Sequence, residues 1–266
     1  MQDFKYRRAH SVAEATAALK EATEGKFLAG GQTLLPVLKQ RLASPSDLID
    51  LAGISGLVGI TVSKETVTIG AMTRHADVAA SAEIKAVIPA LAELAGGIGD
   101  PHVRNRGTIG GSIANNDPAA DYPAAVLGLG ATIKTDRRTI AADDYFQGLF
   151  TTALQEDEVI TAISFPVPQR AGYVKFPHPA SRYCLVGVMV SKGANGVRVA
   201  VTGAGQEGVF RVSDMEAALN RAFTVGALEG VKVAPDNLMT DMHAAADYRA
   251  HLVGVLARRA VAKAGG

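Results

Sequence analysis

Hydrophobic and polar positions sort this chain into three successive stretches of mixed strands and helices. In the first, Ser11 and Glu14 form a capping box ahead of "AEATAALKEA", a run of strong helix formers that Gly25 ends. "KFLAGG" then predicts a short buried strand stopped by glycines, "TLLPVLKQRLA" a short helix with Pro36 in an early turn, and "DLIDLA" another strand. The second stretch begins with "GLVGITVSKETVTIGAMT", two alternating apolar strands about a polar turn, and runs into an alanine-rich helix over residues 76–95, which Pro89 breaks. A long glycine-containing loop follows. After it, "ADYPAAVLGLGATIKT" reads as helix then strand, and "TIAADDYF" and "EVITAISFP" as further strands. In the third stretch, two β-branched runs flank Gly193-Ala194-Asn195-Gly196 as a hairpin. Ser213 and Glu216 make a second capping box there, and a last helix covers residues 245–264. The elements predict an α+β fold in units 1–55, 56–170 and 171–266.

Composition narrows the function. The 266 residues can bury a sizeable core, and 48% hydrophobic against 20% charged predicts an ordered globular protein. A net charge of +1 gives no electrostatic footprint for nucleic acid or an acidic membrane surface. No apolar run reaches the roughly 18 residues of a membrane span. The opening residues lack the apolar core of a secretion signal, so the cytoplasm is the expected compartment. A single cysteine, Cys184, excludes an internal disulfide and any cysteine-held iron–sulfur or zinc site in this chain. The histidines fall without metal-ligand spacing. If the chain does redox chemistry, an organic cofactor carries it.

Two loops carry the candidate chemistry. In "AGGQT" (Ala29, Gly30, Gly31, Gln32, Thr33), glycines between a strand and a helix let backbone N–H groups approach a ligand and form an anion cradle, with the helix N-terminus adding positive charge. The same pattern also suits a plain strand-to-helix turn. The spacing is not GxGxxG, and no acidic residue follows where a ribose would be held, so a dinucleotide fold of the Rossmann kind is not indicated. The second loop, "GTIGGSIANNDPAADYP", offers Gly107, Gly110 and Gly111 for close approach, with Thr108, Ser112, Asn115, Asn116, Asp117 and Asp121 as polar handles. A glycine-rich polar run between apolar elements is the composition of a ligand loop.

"AGGQTLLPVLKQRLASPSDLIDL", "IGAMTRHADV" and "VRNRGTIGGSIANNDPAADYPAAVLGLGATI", in this order and separation, resemble the FAD-binding medium subunit of the molybdenum hydroxylases, the group of carbon monoxide dehydrogenase, xanthine dehydrogenase and aldehyde oxidoreductase. The C-terminal "SRYCLVGVMV" and "ADYRAHLVGVLARRAV" extend the resemblance over essentially the whole chain. It implies a two-subdomain FAD fold of the vanillyl-alcohol-oxidase type, followed by a C-terminal domain with a three-stranded antiparallel sheet. It places FAD between the subdomains, its pyrophosphate cradled by backbone amides of Ala29–Thr33 and of Thr108, Ile109, Gly110 and Gly111. Asp121 would bond the sugar or ribityl region and Ile160 would lie near the flavin and adenine path. Lys175 would stand at the isoalloxazine edge, stabilising reduced flavin, and Tyr183 would lie beside the ring. Read as residues alone, Ile160 also suits a strand core, Lys175 a surface charge and Tyr183 a sheet-packing aromatic. His75 suits packing or ligand contact. His102, Arg104 and Arg106 suit cofactor phosphates, a partner or a solvated loop.

The resemblance further implies a complex, a dimer of heterotrimers. A large subunit would carry the molybdenum cofactor and a small subunit two [2Fe–2S] clusters. FAD would pass electrons to NAD, oxygen, a quinone or a cytochrome. Two other classes fit the residues less well: a self-contained FAD oxidase, for which the C-terminal piece shows no acid/base cluster, and an assembly module without FAD, against which both glycine loops are intact.

Overall fold

In the computed structural model, which describes residues 1–266, three successive stretches of chain build three main sheets. The first stretch holds β1 (Lys5–Arg8), α1 (Val12–Glu21), β2 (Gly25–Leu28), α2 (Leu34–Lys39) and β3 (Asp47–Asp50). Its strands are parallel in the order β1-β3-β2, so β3 lies centrally and all of its residues are buried. Parallel neighbours need crossovers, and the helices supply them. The first capping box forms: Ser11 Oγ accepts from the Glu14 N–H and Glu14 Oε2 from the His10 N–H. α1 ends at Glu21, ahead of Gly25, which instead opens β2. A Cβ on Gly25 would lie 2.8 Å from Leu19 Cδ1, so the glycine lets the strand pass close under the helix.

The second stretch holds β4 (Ile60–Val62), β5 (Thr66–Gly70), α3 (His75–Ala80), α4 (Ala82–Val87), α5 (Pro89–Gly96), α6 (Pro101–Arg104), α7 (Ile109–Asn115), α8 (Tyr122–Gly128), β6 (Thr132–Thr135), β7 (Thr139–Ala141), α9 (Ala142–Tyr145), β8 (Phe146–Gly148), β9 (Thr151–Thr152) and β10 (Ile160–Pro166). An antiparallel sheet runs β4-β5-β10-β6-β7, and β8 and β9 make a separate hairpin. The helix expected over 76–95 is three short ones. Ser81 leaves helical geometry and caps α4 by accepting from the Ile84 N–H, and Pro89 opens α5. "TIAADDYF" is strand only as far as Ala141 and then coils into α9.

The third stretch holds β11 (Arg170–Pro177), β12 (Cys184–Gly193), β13 (Gly196–Gly205), β14 (Gly208–Arg211), α10 (Ser213–Arg221) and α11 (Ala246–Lys263). The expected hairpin is β12–β13. The sheet has four antiparallel strands, β11-β12-β13-β14, where three were expected. Gly205 pairs with Gly208 across a tight turn, and this returns the chain as the short β14. The second capping box does not form: Glu216 is drawn inward to accept from the Val199 N–H and to pair with Arg211, leaving Ser213 without a bond to it.

Separate hydrophobic cores back the sheets: one around Ile49 and Leu51, one around Ile69, Leu91, Ile133 and Phe165, and one around Val188, Val199, Leu256 and Val261. Tyr173, Met189 and Ala200 of the third sheet join the second core. α8 rests on them so closely that a Cβ on Gly128 would come 2.7 Å from Met189. No helix is long and apolar enough to cross a membrane.

Candidate cofactor site

The first glycine loop leaves β2 and turns into α2 through Gly31, whose φ of +72° places it where a side chain is strained. No backbone N–H from Ala29 through Thr33 has an acceptor in the chain; the loop's own bonds are Gln32 Nε2 to the Gly30 carbonyl at 3.4 Å and the Leu35 N–H to the Gly31 carbonyl at 3.1 Å. A consecutive run of donors left free ahead of a helix is able to receive an anionic group. The loop is half-buried at Ala29, Gly30 and Gly31 and exposed at Gln32 and Thr33, open to a ligand along one side.

The second loop lies directly against the first. A Cβ on Gly30 would run into the Arg106 carbonyl and come 2.7 Å from Gly107 Cα, and the one on Gly111 would touch Ala29 Cβ at 3.4 Å. The glycines here serve packing. A Cβ on Gly107 would lie 2.6 Å from His75 Nε2, and one on Gly110 2.6 Å from Ala71 Cβ. The expectation that the amides of Thr108–Gly111 all face an anion needs correction. Ile109 N–H donates to the Thr73 carbonyl at 3.1 Å and Gly110 N–H to the Ala71 carbonyl at 2.8 Å, docking the loop on the turn after β5. Gly111 N–H is capped by Thr108 Oγ1 at 3.1 Å. The Thr108 N–H and the Ser112 hydroxyl have no partner in the chain and remain for a ligand. The donor set therefore fits a pyrophosphate, with most of its contacts on the first loop.

Beyond the loops, Asp121 and Lys175 meet. Asp121 is 5% exposed; its carboxylate accepts from the Tyr173 hydroxyl at 2.6 Å and lies 3.0 Å from Lys175 Nζ. Lys175 also donates to the Gly97 carbonyl at 2.7 Å. Burial pushes the Asp121 carboxyl up, with Lys175 and the tyrosine hydroxyl pulling it back. Lys175 is thus a mostly buried ion-pair partner and not a surface charge, and its positive charge is already shared with Asp121. Tyr173, which orients Asp121, carried no motif signal in the sequence.

The segment between these groups is sewn to the third sheet. Gly203 N–H donates to the Pro118 carbonyl at 2.8 Å, and the Thr202 hydroxyl lies 2.7 Å from the Ala120 carbonyl. Asp117 folds onto its own backbone, accepting from the Ala119 N–H. It lines one cleft with Tyr183, which is 59% exposed and so does not pack into the sheet. Asn115 is half-buried with no side-chain bond, whereas its neighbour Asn116 is the buried anchor. Asn116 adopts φ +44° and donates to the carbonyls of Gly148 and Thr151, each at 2.8 Å. An Asn-Asn pair before a turn is a signal for one left-handed residue, but not for which of the two takes it.

Ile160 is a core residue at the start of β10, 6% exposed, and it stands behind the glycine loop through Thr161, whose carbonyl accepts from Ala71 N–H. His75 is buried against Tyr122, the ring centroids 5.3 Å apart; burial, with Arg104 nearby, lowers its pKa to about 4 and keeps it neutral. Its Nδ1 and the Tyr122 hydroxyl lack partners. Arg104 closes its own loop by donating to the Ile98 carbonyl, while His102 and Arg106 are exposed. Burial pushes the Cys184 thiol up, so it is protonated and inert.

A family profile described as the FAD binding domain in molybdopterin dehydrogenase matches residues 2–168. The carbon monoxide dehydrogenase medium chain of Hydrogenophaga pseudoflava is 37% identical, over 97% of this chain and 96% of that one. The nicotine 6-hydroxylase medium subunit of Paenarthrobacter nicotinovorans is 35% identical over 98% and 97% of the two chains. A solved structure of carbon monoxide dehydrogenase from Hydrogenophaga pseudoflava superposes with a TM-score of 0.88 at 36% identity, covering 99% of this chain and 98% of its counterpart. With both glycine loops inside the matched region and the likeness continuing to the C-terminus, the chain belongs to the FAD-binding medium subunits of the molybdenum hydroxylases.

Proposed function

We propose that this chain holds FAD and passes electrons between the iron–sulfur clusters of a small partner subunit and an external acceptor, substrate oxidation taking place on a large molybdenum subunit. The run of unpaired amides from Ala29 to Thr33, pressed against the second glycine loop, carries the reading. FAD supplies the step between one-electron delivery and two-electron release. The chain's share is to bind and orient. Ala29–Thr33 with Thr108 and Ser112 receive the pyrophosphate, and Gly111 keeps the loops in contact. Asp121, held by Tyr173, faces the ribityl side with Lys175, while Asp117 and Tyr183 wall the flavin end.

Ile109, Gly110 and Ile160 support these groups from behind, and Asn115 stands at the exit of the second loop. Three sheets with separate cores support units at 1–55, 56–170 and 171–266, the first two forming a fold of the vanillyl-alcohol-oxidase type. The assembly we infer is a dimer of heterotrimers in the cytoplasm.

Flavin absorbance and FAD content of the purified chain test the reading. The wild-type chain is expected to copurify with near-stoichiometric FAD. Gly31→Val is expected to lose it while staying folded, because the strain it adds is confined to one half-buried turn of the cradle and the Leu35 side chain beside it. A folded wild-type chain that takes up no FAD on reconstitution ends this reading.

A further inference from the structure

Asp121 occupies the N-cap of α8, yet its carboxylate makes no capping bond. An aspartate in that place ordinarily accepts from the first amides of its helix. In this chain β11 claims both oxygens. Tyr173 and Lys175 lie two apart on that strand and so share a face, and both reach Asp121. The Tyr173 hydroxyl donates to Oδ1 at 2.6 Å, and Lys175 Nζ lies 3.0 Å from Oδ1 and 3.1 Å from Oδ2. Lys175 also donates to the Gly97 carbonyl, which closes α5 and carries the negative end of its dipole.

The tyrosine hydroxyl has a seat of its own. A Cβ on Gly187, which pairs with Lys175 across β11 and β12, would lie 2.5 Å from the Tyr173 oxygen and 2.7 Å from Cys184 Sγ. A larger residue at 187 would push the tyrosine off Asp121. The titratable groups about the carboxylate are Lys175 and Tyr173 on β11, Cys184 on β12 and Tyr122 next along α8. Burial pushes the thiol and both phenols up and keeps them neutral, so the network holds one cation and one anion.

A buried ion pair contributes little net stability, because desolvating the two charges offsets their attraction. Such pairs gather where a site must control its own charge. Lys175 alone would present a full cation; with Asp121 ionised, the pair presents only a dipole. The carboxylate is 5% exposed and owes its ionised form to two donors, the lysine and the Tyr173 hydroxyl.

We propose that Tyr173 is a positioning residue that sets the flavin's midpoint potential, its hydroxyl holding Asp121 ionised against Lys175 so that the pair faces the cofactor without net charge. The proposal rests on the reading that FAD lies beside Asp121 and Lys175. Without the hydroxyl, the carboxyl takes up a proton more readily and Lys175 is left uncompensated. Negative charge on reduced flavin is then favoured. A unit charge acting over roughly 10 Å through an effective dielectric of about 20 is worth about tenfold in an equilibrium.

Spectroelectrochemical titration of the FAD-loaded chain between pH 5 and pH 9 tests this. Tyr173→Phe keeps the ring in the second core and removes the hydroxyl. Its flavin is expected to be reduced about tenfold more readily than in wild type at the acid end, about 30 mV for a two-electron couple, and to match wild type at the alkaline end. Gly187→Ala, which displaces the hydroxyl, is expected to shift the potential the same way. Cys184→Ala cuts no bond to Asp121 and is expected to leave the potential alone. In the flavin-free chain, carboxyl carbon NMR of labelled aspartate reads Asp121 directly, its signal being the one that Asp121→Asn removes. Tyr173→Phe is expected to weaken its ionisation about tenfold, the value of one hydrogen bond to a charged group. Superimposable potentials in wild type and Tyr173→Phe overturn the proposal, as does an Asp121 titration that does not move. An equal shift in Cys184→Ala overturns it too, since loosened packing then suffices. A wild-type chain that takes up no FAD ends the reading beneath, whereas a chain that binds FAD with an unmoved potential ends this proposal alone.

Discussion

Replacing Lys175 with methionine takes away the cation facing a carboxylate that is 5% exposed. Asp121 is left with the Tyr173 hydroxyl at 2.6 Å, and the Gly97 carbonyl loses its donor. A buried charge stripped of its partner costs roughly 3–5 kcal/mol, and the Gly97 carbonyl left without its ammonium donor about 1–2 kcal/mol. Protonation offers Asp121 an escape, because burial already pushes its carboxyl up. With the folded pKa above the unfolded one, the folded variant binds more protons than the unfolded chain. Its stability is then present at low pH and falls as pH rises through the folded pKa, by at most about 1.4 kcal/mol per unit. The deficit against wild type is expected near roughly 2 kcal/mol at pH 5 and roughly 4 kcal/mol at pH 8. Urea unfolding followed by circular dichroism at both pH values reads it. Adding Asp121→Asn to the methionine variant is expected to recover most of the loss at pH 8. An equal deficit at both pH values, or a double variant no more stable than the single, refutes the buried-pair account.

The opposite pH window belongs to His75. Its folded pKa, lowered from 6.5 to about 4, makes stability complete above pH 6.5 and lost as pH falls toward 4, by about 3 kcal/mol. His75→Phe is expected to flatten the stability curve in that window, and an unchanged slope assigns the acid sensitivity elsewhere. Asn116→Ala leaves the buried Gly148 carbonyl and the part-buried Thr151 carbonyl without their donor and puts a side chain at φ +44° with no compensating bond, for a loss of about 2–3 kcal/mol in urea unfolding. Asn116→Gly, which relieves the backbone strain but not the carbonyls, is expected between it and wild type. Gly110→Val is expected to lower the melting temperature of the flavin-free chain, because its side chain meets Ala71, whereas Gly31→Val is expected to act mainly on FAD content. Equal melting losses in the two would mean that the loops do not divide packing from ligand binding.

Local patterning made most elements legible. Alternation marked β4 and β5, the Gly-Ala-Asn-Gly turn marked the β12–β13 hairpin, and the expected last helix over 245–264 is α11. The departures share a cause: a long-range contact outweighed a local preference. Glu216 left its capping role because the Val199 amide and Arg211 claim its carboxylate in the interior. Gly25 is required by Leu19 across the crossover and not by the end of α1. β11 and β14 pair at the edges of a sheet whose centre is the hairpin, and edge strands show weaker alternation than central ones.

The site was legible as two loops and a set of polar residues, but their division of labour was not. A glycine pair in sequence signals that a side chain is unwelcome without saying whether a ligand, a neighbouring backbone or a dihedral angle forbids it. The structure separates the three cases. Gly31 is required by its dihedral, Gly30 by the Arg106–Gly107 backbone, and Gly110 by Ala71. What distinguishes a binding loop is then its unspent hydrogen bonds: the amides of Ala29–Thr33 have no acceptors, whereas those of Ile109 and Gly110 are consumed in docking their loop onto the turn after β5. Beyond the loops, Asp121 and Lys175 largely satisfy each other.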